Sequence, residues 1–104
     1  MTQYKGVPMR TPQGRFQVFR DDVPLPPERS QKVVNHSPDG FAWGYGGSGP
    51  LQLALALLLE ETDESLALDF YQEFEAQVIA RFPSESSWLL SSETILTWIK
   101  VDYI

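Results

Sequence analysis

Two spacings of apolar residues divide the chain. In the first part they alternate, as in Arg15-Phe-Gln-Val-Phe-Arg20, where Phe16 and Val18 share one face and Arg15 and Gln17 the other. Thr11-Pro-Gln-Gly14 and Ser37-Pro-Asp-Gly40 are turn tetrads, each with Pro second to preset φ and Gly fourth to accept the exit geometry. Lys32-Val-Val-Asn-His36 and Phe41-Ala-Trp43 flank the second tetrad. The pattern therefore predicts two β-hairpins, over 3–20 and 32–44, joined by an extended Pro-rich connector, Val23-Pro-Leu-Pro-Pro-Glu28.

Helical spacing takes over after Pro50. From Leu51 to Leu59 only Gln52 is polar, and a helix apolar on every side is one buried on every side. A central buried helix over 50–60 follows, opened by Pro50 with Ser48 or Gly49 as N-cap. Glu60-Glu-Thr-Asp-Glu64 reads as a capped, solvated junction, with Thr62 or Asp63 capping the next helix. That helix, 64–82, places Ala67, Phe70, Tyr71, Phe74, Val78 and Phe82 on one stripe and stops at Pro83. Trp88-Leu-Leu90 reads as a short strand. Ser91 or Ser92 caps a last helix, Glu93–Lys100, with Ile95, Leu96, Trp98 and Ile99 facing inward. The predicted class is α+β, a small antiparallel sheet of two hairpins packed on about three helices, in a single domain spanning 1–104.

Composition narrows the function classes. The chain has no cysteine, which removes disulfides, thiol catalysis and thiolate metal sites and fits a reducing cytoplasm. The N-terminal residues carry no apolar leader core, and Leu53–Leu59, the longest apolar run, falls far short of the roughly 20 residues of a membrane span. Net charge is −6 and uneven: six of the eight Lys and Arg precede residue 33. An acidic body argues against duplex binding, although Arg10, Arg15, Arg20 and Lys32 form a local basic third.

Five of the seven glycines lie between Gly40 and Gly49, directly before the buried helix. Gly44-Tyr-Gly-Gly-Ser-Gly49 spells G-x-G-x-x-G, but Glu61–Leu68 reads as a helix-to-helix turn where a dinucleotide fold needs a second strand. No Lys follows the glycines, so the phosphate loop of nucleotide hydrolases is excluded. The chain is too short for the fold that carries a G-x-S-x-G nucleophile. A Ser48–His36–Asp39 triad has no support beyond residue type, and a single His without Cys anchors no ordinary transition-metal site. Two readings of the loop stand. In one, the glycines let Phe41, Trp43 and Tyr45 fold over the helix. In the other, the N–H groups of Gly46, Gly47, Ser48 and Gly49 cradle an anion or a peptide carboxylate. His36, Trp43 and Tyr45 would then form the walls, and Gln52 would add its amide. A buried Gln52 must be hydrogen-bonded, with the loop backbone as the nearest partner.

The stretch from Asn35 through Leu58, Asn-His-Ser-Pro-Asp-Gly-Phe-Ala-Trp-Gly-Tyr-Gly-Gly-Ser-Gly-Pro-Leu-Gln-Leu-Ala-Leu-Ala-Leu-Leu, resembles a family of small bacterial and phage proteins defined as a domain of unknown function. The similarity extends to Phe70-Tyr-Gln72 and to Pro83 through Trp88. It implies an association with bacterial genomes and mobile elements, where small acidic proteins often act by binding other proteins. It implies no reaction, cofactor or ligand. With no complete catalytic constellation, the sequence leaves enzymatic activity undecided. It favours a non-enzymatic cytoplasmic module that binds a macromolecular partner, a protein rather than nucleic acid or membrane, without cofactor or metal. The rival expectation is a sensor that binds a phosphate- or nucleotide-type anion at the glycine loop.

Overall fold

The computed structural model describes residues 2–8, 16–84 and 86–103, the last three by their backbone. In chain order the elements are strands β1 (Gln3–Val7), β2 (Gln17–Arg20) and β3 (Val23–Pro24), helices α1 (Glu28–Val33), α2 (Ser48–Glu61) and α3 (Glu64–Gln77), a 3-10 turn Ile79–Arg81, strand β4 (Trp88–Ser91) and helix α4 (Ser92–Tyr103). The strands form one antiparallel sheet in the order β3-β2-β1-β4. The α+β class stands, with the sheet drawn from both ends of the chain.

The first hairpin is present as β1 on β2, Gly6 opposite Val18; its Thr11–Gly14 turn lies outside the described residues. The second, over 32–44, is not. Lys32 and Val33 close α1, and Phe41–Trp43 is buried in irregular backbone. The turn at 37–40 does form, with Gly40 N–H donating to the Ser37 carbonyl at 3.1 Å, but it joins a helix to a loop. A β-branched pair at a helix end is a weak signal, and the tertiary contact of α1 with α2 overrides it. The connector also departs from the expectation. Asp21 and Asp22, at φ 50° and 67°, make a two-residue turn, so Val23–Pro24 returns as β3 on β2 before α1 begins. Asp tolerates this left-handed region better than most residues.

Helix α2 is the axis of the fold. Gln52 through Leu59 are all buried, as the unbroken apolar run predicts. Around it pack α1, α3 and α4, and the inward sheet residues Tyr4, Val18, Trp88 and Leu90 close the same core. The α2 N-cap is Gly47, one or two residues before the expected Ser48 or Gly49, and no side chain caps it. Asp63 caps α3 by accepting from Leu66 N–H at 2.9 Å. Ser91 does the same for α4, accepting from Thr94 N–H at 3.1 Å. Helix α3 ends at Gln77 rather than at 82, and a 3-10 turn carries Ile79 into the core before Pro83. On α4, Ile95 and Ile99 are buried, but Leu96 faces outward and is 45% exposed.

An aromatic stack ties the sheet to the glycine loop. The Trp43 ring lies 4.5 Å from Phe16 and meets Trp88 edge-on at 5.6 Å, while Phe82 stacks on Trp88 at 4.7 Å. Trp88 fits because Gly6 stands opposite it in the ladder and has no side chain. A Cβ there would sit 2.1 Å from the indole nitrogen, whose N–H is buried with no partner among the described residues. Gly6→Ala must therefore push the ring out of its slot. Urea denaturation should show a loss of about 1–3 kcal/mol, the usual cost of overpacking.

Candidate functional site

The glycine loop is built as a tight return into α2. Gly44 has φ +84°, and its N–H donates to the Ile79 carbonyl at 3.1 Å while its carbonyl accepts from Ser84 Oγ at 2.9 Å. A Cβ at Gly44 would lie 2.7 Å from Ser84 Cα, so both conformation and space require glycine. Gly49 is buried against Ala42, where a Cβ would meet the Ala42 side chain at 2.6 Å. Between them the loop tip stands out. Tyr45 is 48% exposed, Gly46 and Ser48 are exposed, and the Tyr45 ring lies against Gly47.

The helix start already meets an anion, and it is the chain's own. Glu75 of α3 is buried, and its Oε2 accepts from Gly47 N–H at 3.3 Å, close beneath Gly46. A carboxylate is stabilised at that end of a helix dipole. The first regular helical bond follows, from Leu51 N–H to the Gly47 carbonyl at 3.0 Å, and Pro50 has no N–H to offer.

Gln52 and His36 come together, but not around the glycines. Gln52 is fully buried and uses all four of its hydrogen-bonding positions. Its Oε1 accepts from the main-chain N–H of His36 at 2.8 Å and of Ser37 at 3.0 Å. Its Nε2 donates to Ser30 Oγ at 2.9 Å and to the Val34 carbonyl at 3.0 Å. The backbone it satisfies is that of the α1–loop segment, 34–37, rather than of 44–49. His36 is half-buried and its Nε2 lies 2.7 Å from the Tyr71 hydroxyl. Trp43 is buried in the aromatic stack, donating its indole N–H to the Ser86 carbonyl at 2.9 Å. Among the expected site residues, only Tyr45, Gly46 and Ser48 are exposed.

A second polar cluster lies at the other end of α2, where the sequence suggests a solvated junction. Glu60 accepts from Arg29 at 2.9 Å and faces Arg20 at 3.5 Å, while its own side chain is mostly buried. Glu61 accepts from the Tyr4 hydroxyl through Oε2 and from the Ser92 hydroxyl through Oε1. Two carboxylates at the negative end of a helix dipole are unfavourable on their own. Arg20, Arg29, Tyr4 and Ser92 offset that. Tyr4 has no exposed surface, and burial first, then its bond to and the charge of Glu61, push its phenol well above the ordinary value. Among the described residues no group of three or more His, Asp or Glu is placed to hold a metal ion. No helix there is long and apolar enough to cross a membrane.

Residues 4–101 match the family of unknown function DUF6166. The chain belongs to that family. The match covers both polar clusters, the glycine loop and every strand and helix at least in part. No curated protein and no solved structure matches the chain.

Two outcomes follow from the clusters. Gln52→Leu preserves bulk but leaves the His36 and Ser37 N–H groups without their acceptor, and urea denaturation should show a loss of about 3 kcal/mol or more. Tyr4 sets an alkaline limit. Because its folded pKa is raised, its contribution is complete below the unfolded value near 10 and is lost as pH climbs beyond it. Unfolding free energies measured from about pH 8 to 11 should therefore fall less steeply for Tyr4→Phe than for the parent chain.

Proposed function

We propose that this DUF6166 member is a non-enzymatic cytoplasmic module that binds a protein partner through the tip of its glycine loop. The observation that carries the reading is that Tyr45 is exposed while Glu75 occupies the helix start next to it through Gly47. Tyr45 stands out beside a helix start whose first free N–H is already taken by a buried carboxylate. An incoming phosphate would have to displace Glu75 or sit against its charge, which weakens the anion-sensor reading. A loop packed closely at Gly44 and Gly49 that presents one tyrosine suits a protein interface, where large aromatic side chains supply much of the binding energy. The cysteine-free composition supports a reducing, cytoplasmic setting. The resemblance of residues 35–58 to bacterial and phage sequences supports a role in such genomes.

The test starts from proteins that co-purify with the chain and is decided by titration of the purified partner. Tyr45→Ala should weaken that binding by about tenfold or more without lowering thermal stability, since the ring is half outside the fold. Inorganic phosphate and nucleotides at millimolar concentration should leave the melting temperature unchanged. Equal binding by Tyr45→Ala, or stabilisation by those anions, would contradict the reading.

A further inference from the structure

The two edges of the sheet are treated differently. On one side β3 is two residues long, contains Pro24 and follows the Asp21–Asp22 turn, so it offers a short edge interrupted by proline and flanked by charge. On the other side β4 is four residues long and has neither proline nor charge within it. Its sequence is Trp-Leu-Leu-Ser, and the whole run from Ser86 to Ser92 carries no charge and no proline, although Glu85 and Glu93 bound the run.

The phase of the ladder makes Leu89 the centre of that open edge. Ser92 N–H donates to the Thr2 carbonyl at 2.9 Å, and the register pairs Leu90 with Tyr4 and Trp88 with Gly6. In an antiparallel ladder hydrogen-bonded pairs alternate with non-bonded ones, so Leu90 and Trp88 bond toward β1 and Leu89 turns its N–H and carbonyl outward. Its side chain is 72% exposed, the most open large apolar group among the described residues. It continues an outer-face row through Lys5, opposite it, and Phe19, over which the Lys5 ammonium lies at 5.3 Å.

We infer that β4 is a self-association edge, and that a second copy of this chain pairs with it, antiparallel, about a two-fold axis at Leu89. One residue then supplies the bonding donor, the acceptor and the apolar contact on both sides, which is what a two-fold interface requires. Ser87 and Ser91 of the two copies fall opposite each other and present no bulk. Uncharged β4 gives an oppositely charged partner nothing to select. A second copy brings another exposed Leu89 between two small serines and extends the sheet across the axis. The overall charge of −6 opposes the approach of two copies, so added salt should tighten the contact.

The chain's lack of cysteine gives a clean test. Leu89→Cys should form a disulfide-linked dimer in a glutathione redox buffer, since bonded cross-strand pairs place their Cα atoms about 5.5 Å apart. Val23→Cys, on the protected edge and also exposed, should form it at least tenfold more slowly. Analytical ultracentrifugation of the parent chain near 200 µM should show a dimer that strengthens with salt, as a small interface of micromolar affinity would give. Leu89→Lys should be monomeric there with unchanged circular dichroism and melting temperature. A monomeric parent chain, equal rates for the two cysteine variants, or a dimer that salt weakens would overturn the inference.

Discussion

The fold depends on satisfying one polar side chain inside an otherwise apolar helix. Helix α2 is buried on all sides, which gives it stability but nothing to fix its rotation or to choose what lies against it. Gln52 supplies that choice. Unpaired, its amide would cost several kcal/mol in such surroundings, so the segment that can present two N–H groups, a carbonyl and a hydroxyl in the right places is held there. That segment is the end of α1 and the loop from Val34 to Ser37. Once it is pinned, the Ser37–Gly40 turn sends Phe41 and Trp43 into the core, and Gly44 brings the chain back to the start of the same helix.

Both ends of α2 meet carboxylates, and the two cases differ in sign. Glu75 lies at the positive end, where the dipole favours it, and it closes the loop against α3 through Gly47. Glu60 and Glu61 lie at the negative end and are held by groups from β1, β2, α1 and α4. An axis that is apolar along its length is thus anchored at three polar points, one within its first turns and one at each tip. The exposed Tyr45 sits beside the first of these tips, between Gly44 and Gly49, the two loop glycines whose surroundings leave no room for a side chain.

What could be read in advance follows from how local each signal is. The buried helix, the stop near residue 60, a cap at Thr62 or Asp63 and the strand at Trp88 are written in consecutive residues, and the structure has them, with Asp63 as the cap. The need of a buried Gln52 for partners was also legible, but not their identity, because Ser30 and Val34 are brought to it only by the packing of α1. Glu75 was within reach of the sequence: it stands four residues after Tyr71 and so on the buried stripe of α3, where a carboxylate must find a donor. The second hairpin failed because Val33 and Val34 look like strand residues in isolation. The Asp21–Asp22 turn was hidden because aspartate signals positive φ far less clearly than glycine does.

Amide hydrogen exchange tests the role of Gln52 most directly. The N–H groups of His36 and Ser37 lie in irregular backbone, and an ordinary loop there would exchange by small local openings. Bonded to a buried side chain, they should exchange only with the opening of α2 itself, at rates matching the Leu53–Leu57 amides. Exchange at the speed of an unprotected loop while α2 stays protected would contradict the account.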